Sequence, residues 1–315
     1  MLKPIVTCIA GASTALVAMQ AMAEYPDRPV TVIVPFSAGG GTDSDARGFQ
    51  PFFGEALGTT IVMKNVDGAA GTVGAAETAR SKPDGYTLGF LPIGPAVIQP
   101  NLRDLPYSVD SFVPVCQINA NPVVLMTSKD SPINTIEDFK TTVASAPDKY
   151  AYGSSGAGTI PHLAIAATVV AMDLKMKHIP HKGTADAMKS LVGGFIQFFA
   201  DAPVVVGRFD MKPLAAYTDK RIDGLDSVPT MKEKGYDLQF SVWRGLFAPK
   251  GTPEEMLAKL ESACKKATES QGFKDFSAKV NNDIVYMGRK TFTDFVATEF
   301  AKNAKILQAA GMTKK

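Results

Sequence analysis

Short runs of branched apolar residues alternate along the chain with longer stretches whose apolar positions recur every three or four residues. Residues 31–34 (TVIV) are uncharged and largely β-branched, the pattern of a strand covered on both faces of a parallel sheet. Pro35 ends that run, and Gly39, Gly40 and Gly41 follow it. Ala46, Phe49, Phe53 and Leu57 then fall at helical spacing, with Thr42 or Asp43 as the expected N-cap and Pro51 as an expected kink or restart. The device repeats: residues 60–64 predict a strand, 68–71 a second glycine turn, and 72–80 a small-residue helix capped by Thr72. Pro83, Asp84 and Gly85 mark a turn before a third strand over 86–91, and residues 92–101, with three prolines, read as a loop at the same sheet edge.

Two long extended runs come next, 112–118 continuing at 123–127, and 238–247, with residues 119–122 (NANP) as hinge or bulge in the first. Between them, residues 149–152 predict a strand, 153–158 (GSSGAG) a polar turn, and Thr159 an N-cap with Pro161 in the first helical turn. A further strand over 195–200 delivers Asp201 at its end. Near the C-terminus, Thr252 is the expected cap of a helix with Pro253 first and Met256, Leu257, Leu260 and Cys264 as its apolar stripe; Phe292, Phe295, Val296 and Phe300 mark another. Alternation of strand and helix throughout predicts an α/β fold with its loops gathered at one end of the sheet.

The first residues change the picture. Met1, Leu2 and Lys3, an apolar segment over 4–19, and Ala21-Met22-Ala23 have the order of a secretory signal peptide, residues 1–23, cleaved after Ala23. Cleavage removes Cys8 and leaves Cys116 and Cys264, expected as buried free thiols ahead of a single disulfide. With 20% charged residues and a net charge of +2, the chain has no basic stripe for nucleic acid and no polybasic patch for a membrane.

The glycine turns carry the candidate chemistry. Without Cβ atoms the backbone admits positive φ and lets a ligand approach its N–H groups, and a helix N-terminus adds free donors and partial positive charge, which suits an anion. A phosphate loop would need Lys-Ser/Thr after Gly41, where Thr42-Asp43 stand; a dinucleotide fingerprint would need glycine at Ser44. Ser154, Ser155 and Thr159 equip the 153–158 turn with hydroxyls, so two such cradles facing each other would hold a carboxylate from both sides. No cofactor or metal is predicted, because His162, His178 and His181 form no metal-binding pair. A nucleophile elbow fails at Ala157, yet spacing leaves open a hydrolase built on Ser155, His181 and Asp201.

Tyr25-Pro-Asp-Arg-Pro29, Val34-Pro-Phe-Ser-Ala-Gly-Gly-Gly-Thr-Asp43, Gly68-Ala-Ala-Gly71 and Pro83-Asp-Gly-Tyr-Thr-Leu88 resemble the opening half of the Bug family. These are periplasmic receptors of tripartite tricarboxylate transporters. The likeness continues in Tyr152-Gly-Ser-Ser-Gly-Ala-Gly-Thr-Ile-Pro-His-Leu163, His181-Lys-Gly183, Phe199-Ala-Asp201 and Trp243-Arg-Gly-Leu-Phe-Ala-Pro-Lys-Gly-Thr-Pro253. The resemblance implies a type II periplasmic binding protein fold: two lobes closing like a flytrap, with two crossover strands between them. The first lobe would take residues 24–119 plus 242–315, the second 120–241.

By the same resemblance, Phe36, Ser37, Gly39, Gly40, Gly41, Thr42 and Asp43 of the first cradle and Ser154, Ser155, Ala157, Gly158 and Thr159 of the second would hold a ligand carboxyl. Ala69 would join them from the intervening turn, Lys182 would add positive charge, and Asp201 would meet an amino or hydroxyl group at the ligand's far end. Where the family has Arg-Pro this chain has Val66-Asp67, and His181 replaces a tyrosine before Lys-Gly. The implied function is non-enzymatic: a monomeric periplasmic protein that captures a di- or tricarboxylate or related organic acid and delivers it to permease subunits of a secondary transporter. Presentation of the ligand to a membrane sensor is the alternative.

Overall fold

The computed structural model describes residues 25–309; the expected signal peptide, residues 1–23, lies outside them. The strands are β1 (Val30–Val34), β2 (Ile61–Asn65), β3 (Thr87–Pro92), β4 (Phe112–Pro122), β5 (Val124–Thr127), β6 (Ala151–Ser154), β7 (Lys177–Pro180), β8 (Phe199–Asp201), β9 (Lys212–Ala216), β10 (Ser241–Pro249) and β11 (Ile284–Gly288). Six of them form one sheet in the order β11-β4-β10-β3-β1-β2. Within it β1 is parallel to β2 and β3, while β10 runs antiparallel between β3 and β4. A second group comprises the antiparallel trio β8-β5-β9 and the parallel pair β6-β7. A bridge from Tyr152 to Phe198 joins these two. The result is a two-lobed α/β fold in which the chain passes from the large sheet to the second group at Val123, between β4 and β5, and returns along β10.

Helix Gly41–Leu57 lays Phe49 and Phe53, stacked at 5.2 Å, against β1 and β3 and against Phe273. Burying each ring contributes roughly 1.5–3 kcal/mol. The helix runs unbroken through Pro51, so the proline marks no restart. Pro51 is on the exposed face, so the carbonyl its missing N–H would have bonded faces water.

Other expectations at element ends need correction. The cap of this helix is Gly40, whose carbonyl accepts from Ser44 N at 2.9 Å; neither Thr42 nor Asp43 caps it. Asp43 instead reaches back to Gly39 N at 2.8 Å. Gly71, at φ 87°, likewise takes the cap position expected of Thr72, whose hydroxyl donates back to Ala69 O. Thr252 yields its cap to Pro253. Residues 93–102 are instead one helical run: Pro95 sits near its start, where a missing N–H is harmless, and Pro100 lies inside it, with the Pro95 carbonyl accepting from the Tyr107 hydroxyl at 2.8 Å. Residues 119–122 continue β4, and the bulges lie at Val115 and Ile118, where β10 skips a partner.

Cys116 of β4 and Cys264 of helix Glu254–Glu269 form a disulfide across a Cα separation of 6.6 Å, correcting the expectation of free thiols. Both sulfurs belong to the core between strand and helix, a proximity that 148 residues of sequence separation conceal.

Candidate functional site

The end of β1 and the end of β6 meet across a cleft. On the large-sheet side, Phe36, Gly41, Thr42 and Arg244 face it; on the other, Ser155, Thr159, Thr184 and Asp201 do. The cleft measures about 420 Å³ to its open mouth, but only about 30 Å³ is wide enough for a water-sized body to move freely. The walls are therefore nearly in contact.

Glycine makes that approach possible at Gly156, φ 125°: a Cβ there would lie 2.7 Å from Ala70 Cα on the opposite wall. Ala70 belongs to a loop in which Gly68, Ala69, Ala70 and Gly71 all have positive φ, strain that two alanines carry at roughly 1–3 kcal/mol each. Beside this contact Gln99 Nε2 donates to Ala157 O at 2.8 Å, and Arg103 reaches the same oxygen at 3.4 Å.

Arg244 lies at the floor, 1% exposed. Its Nη1 pairs with Asp45 Oδ2 at 2.9 Å, and its Nε donates to Thr42 Oγ1 at 3.3 Å. Asp45, equally buried, also accepts from the side-chain amides of Asn119, Asn121 and Asn282. The pair is thus compensated, and Asp45 is fully hydrogen-bonded, which helps make a buried ion pair tolerable.

Asp201 arrives from β8 without such a partner. Its carboxylate accepts from Thr184 Oγ1 at 2.5 Å and from Ala202 N at 2.8 Å, and burial holds its pKa above the usual carboxylate range against the lowering effect of Arg244. Because Thr184 donates to Asp201, the 3.1 Å bond between Ser155 and Thr184 must have Ser155 as donor. Toward the cleft Ser155 then offers lone pairs, and an anion there relies on backbone N–H groups.

The TctC family model, described as tripartite tricarboxylate transporter family receptor, matches residues 46–312. This chain belongs to that family. A UPF0065 protein from the gbd 5′ region of Cupriavidus necator is 31% identical over 97% of this chain and 95% of its own length. The structure of the periplasmic binding protein BugD superposes with a TM-score of 0.88 at 30% identity, covering 92% of this chain and all of that one. MatC from Rhodopseudomonas palustris, solved with bound malate, superposes at 0.84 with 28% identity, covering 90% of this chain and all of that one.

In this TctC-family receptor the residues marked by sequence divide into three groups. Phe36, Gly40, Gly41, Thr42, Ser155, Thr159 and Asp201 line the cleft. Ala69, Ala157 and Lys182 line an adjoining groove with Arg103 and His181. Ser37, Gly39, Asp43, Ser154 and Gly158 line neither, and Ser37 and Gly158 pack against Gly183 and Gln99 of the facing side. Asp43 is bound to Gly39 N, Arg47 and Asn65, contacts that outweigh burial and hold its pKa below the usual range. Ser154 is hydrogen-bonded to His178 at 2.7 Å and to Gly156.

The hydrolase arrangement is not assembled in this receptor, since Ser155 bonds Thr184 and His181 Nε2 bonds Ser190 at 2.8 Å. Sequence reasoning passed over Arg244, Asp45 and Thr184. A charge inside the apolar run Val242-Trp-Arg-Gly-Leu-Phe was the available signal, because a charged residue in a covered strand requires a partner.

Proposed function

We propose that this protein is a periplasmic solute receptor that captures a small organic acid between its lobes and hands it to the permease subunits of a secondary transporter. The opposition of two strand-to-helix cradles, at 36–42 and 155–159, carries this reading. Each offers backbone N–H groups to a carboxylate, those of the second cradle being Ser155 and Ala157, because Gly156, Gly158 and Thr159 donate within the turn; a charge-assisted hydrogen bond contributes roughly 1.5–3 kcal/mol. Malate in the related MatC is consistent with an acid in this position.

The lobes of the proposal are residues 24–119 with 242–315, and 120–241. A ligand touching both binds the closed form better than the open one, and that difference drives closure. The closed form of a monomer is then what the permease recognises, and catalysis has no part in the cycle.

A thermal-shift screen of the mature chain against mono-, di- and tricarboxylates, amino acids and neutral solutes tests the reading. An acid at a hundredfold over its dissociation constant stabilises by about 2.7 kcal/mol, a shift of a few degrees. Stabilisation by neutral solutes alone, or by no acid, refutes it.

A further inference from the structure

The floor of the cleft presents two unlike groups to one point. A Cβ added to Gly41 would stand 3.6 Å from Arg244 Nη2 and 3.7 Å from Asp201 Oδ1. Arg244 Nε and Nη1 are occupied by Thr42, Val242 O and Asp45, whereas Nη2 makes no hydrogen bond of its own among the described residues. Asp201 uses one lone pair on each oxygen, for Ala202 N and for Thr184. A pair of N–H donors and a set of carboxylate acceptors thus remain around one point at the floor of the cleft.

We infer that Arg244 and Asp201 form a donor and acceptor pair that selects a ligand whose far end is a neutral carboxamide, in preference to a second carboxylate or an ammonium group. The inference rests on the receptor reading, with the ligand's one carboxylate in the cradles. Charge decides among the alternatives. With both carboxylates ionised, Asp45 offsets Arg244 and Asp201 leaves the three groups one net negative charge, which their burial already disfavours.

A second carboxylate would add like charge beside Asp201, which is unfavourable in a buried site. An ammonium group would satisfy Asp201 but leave Arg244 Nη2 unpaired and set two cations together. A carboxamide oxygen accepts from Nη2 while its NH2 donates to Asp201, so every group has a partner and no charge is added. Sites built to hydrogen-bond both ends of a polar group discriminate strongly against analogues that leave one end unpaired.

Calorimetry on the mature chain with succinate, succinamate and β-alanine, and with glutarate, glutaramate and γ-aminobutyrate, separates the three end groups at two lengths. The monoamide should bind at least about tenfold more tightly than its diacid and its amino acid, the minimum expected when a buried polar group is left unpaired. Asp201→Asn removes the acceptor charge at nearly constant shape and should shift the ratio of monoamide to diacid toward the diacid by a similar factor. A diacid or amino acid that binds as well as the monoamide, or a ratio unmoved by Asp201→Asn, overturns the inference and leaves the receptor reading standing. A chain stabilised by no acid in the broader screen overturns both.

Discussion

Removing the Cys116–Cys264 link tests the architecture at a point remote from the cleft. The bond ties β4, which crosses toward the second sheet group, to helix Glu254–Glu269, and it closes a loop of 148 residues. Chain-entropy accounting of the unfolded state assigns a loop of this size about 5 kcal/mol. Cys116→Ala with Cys264→Ala would also delete two fully buried sulfurs, so the cleaner perturbation is reduction of the unaltered protein, which keeps both sulfurs in their core. Urea unfolding followed by tryptophan fluorescence reads the difference through Trp243, which is buried on the neighbouring strand β10. With a urea slope of about 3 kcal/mol per molar, the midpoint of the reduced form should fall by about 1.7 M. Coincident midpoints for reduced and untreated protein, together with two titratable thiols in the untreated unfolded chain, would refute the link.

Acid should destabilise the protein through His178. Burial, then His162 stacked at 3.9 Å and His181, push its pKa from 6.5 to about 4. Below 6.5 the unfolded chain takes up a proton that the folded chain refuses, so stability falls as pH drops from about 6.5 to about 4 and then levels, a loss that solvent screening of this half-buried ring keeps below about 3 kcal/mol. His178→Gln should flatten that slope in thermal melts across the same window, and an unchanged slope contradicts the assignment. Arg244→Met leaves Asp45 buried without its cation and should destabilise by about 3–5 kcal/mol, whereas Asp45→Asn combined with Arg244→Met should recover much of the loss. Equal losses in the single and double variants, measured by denaturation, would show that the pair is not what Arg244 supports.

Legibility in the sequence tracks how local each determinant is. The strands around residues 31–34 and 61–64 and the apolar face of Phe49, Phe53 and Leu57 follow from period and composition, and they appear within a residue or two of where the pattern puts them. Caps were less legible because the hydroxyls of Thr42 and Thr72 are drawn to partners, Arg244 and Ala69 O, that cap rules do not consider. The floor of the cleft was the least legible. Asp45, Asn119, Asn121, Asn282 and Arg244 come from a helix start, two neighbouring positions on β4, a C-terminal turn and β10, and only the fold makes them one network. The disulfide was hidden for the same reason.

The hydrogen bonds from Gln99 and Arg103 to Ala157 O span the cleft and involve no ligand atom. In the proposed cycle the protein itself would therefore supply part of the free energy of closure. Apparent affinity is the intrinsic affinity of the closed form reduced by the fraction of molecules competent to bind, so a closed fraction of about a tenth would weaken every ligand about tenfold alike. Gln99 acts on that fraction and not on any ligand's end group. On these two proposals, how tightly the receptor binds and what it prefers to bind would be governed by separate side chains, so a relative of this chain could change one while keeping the other.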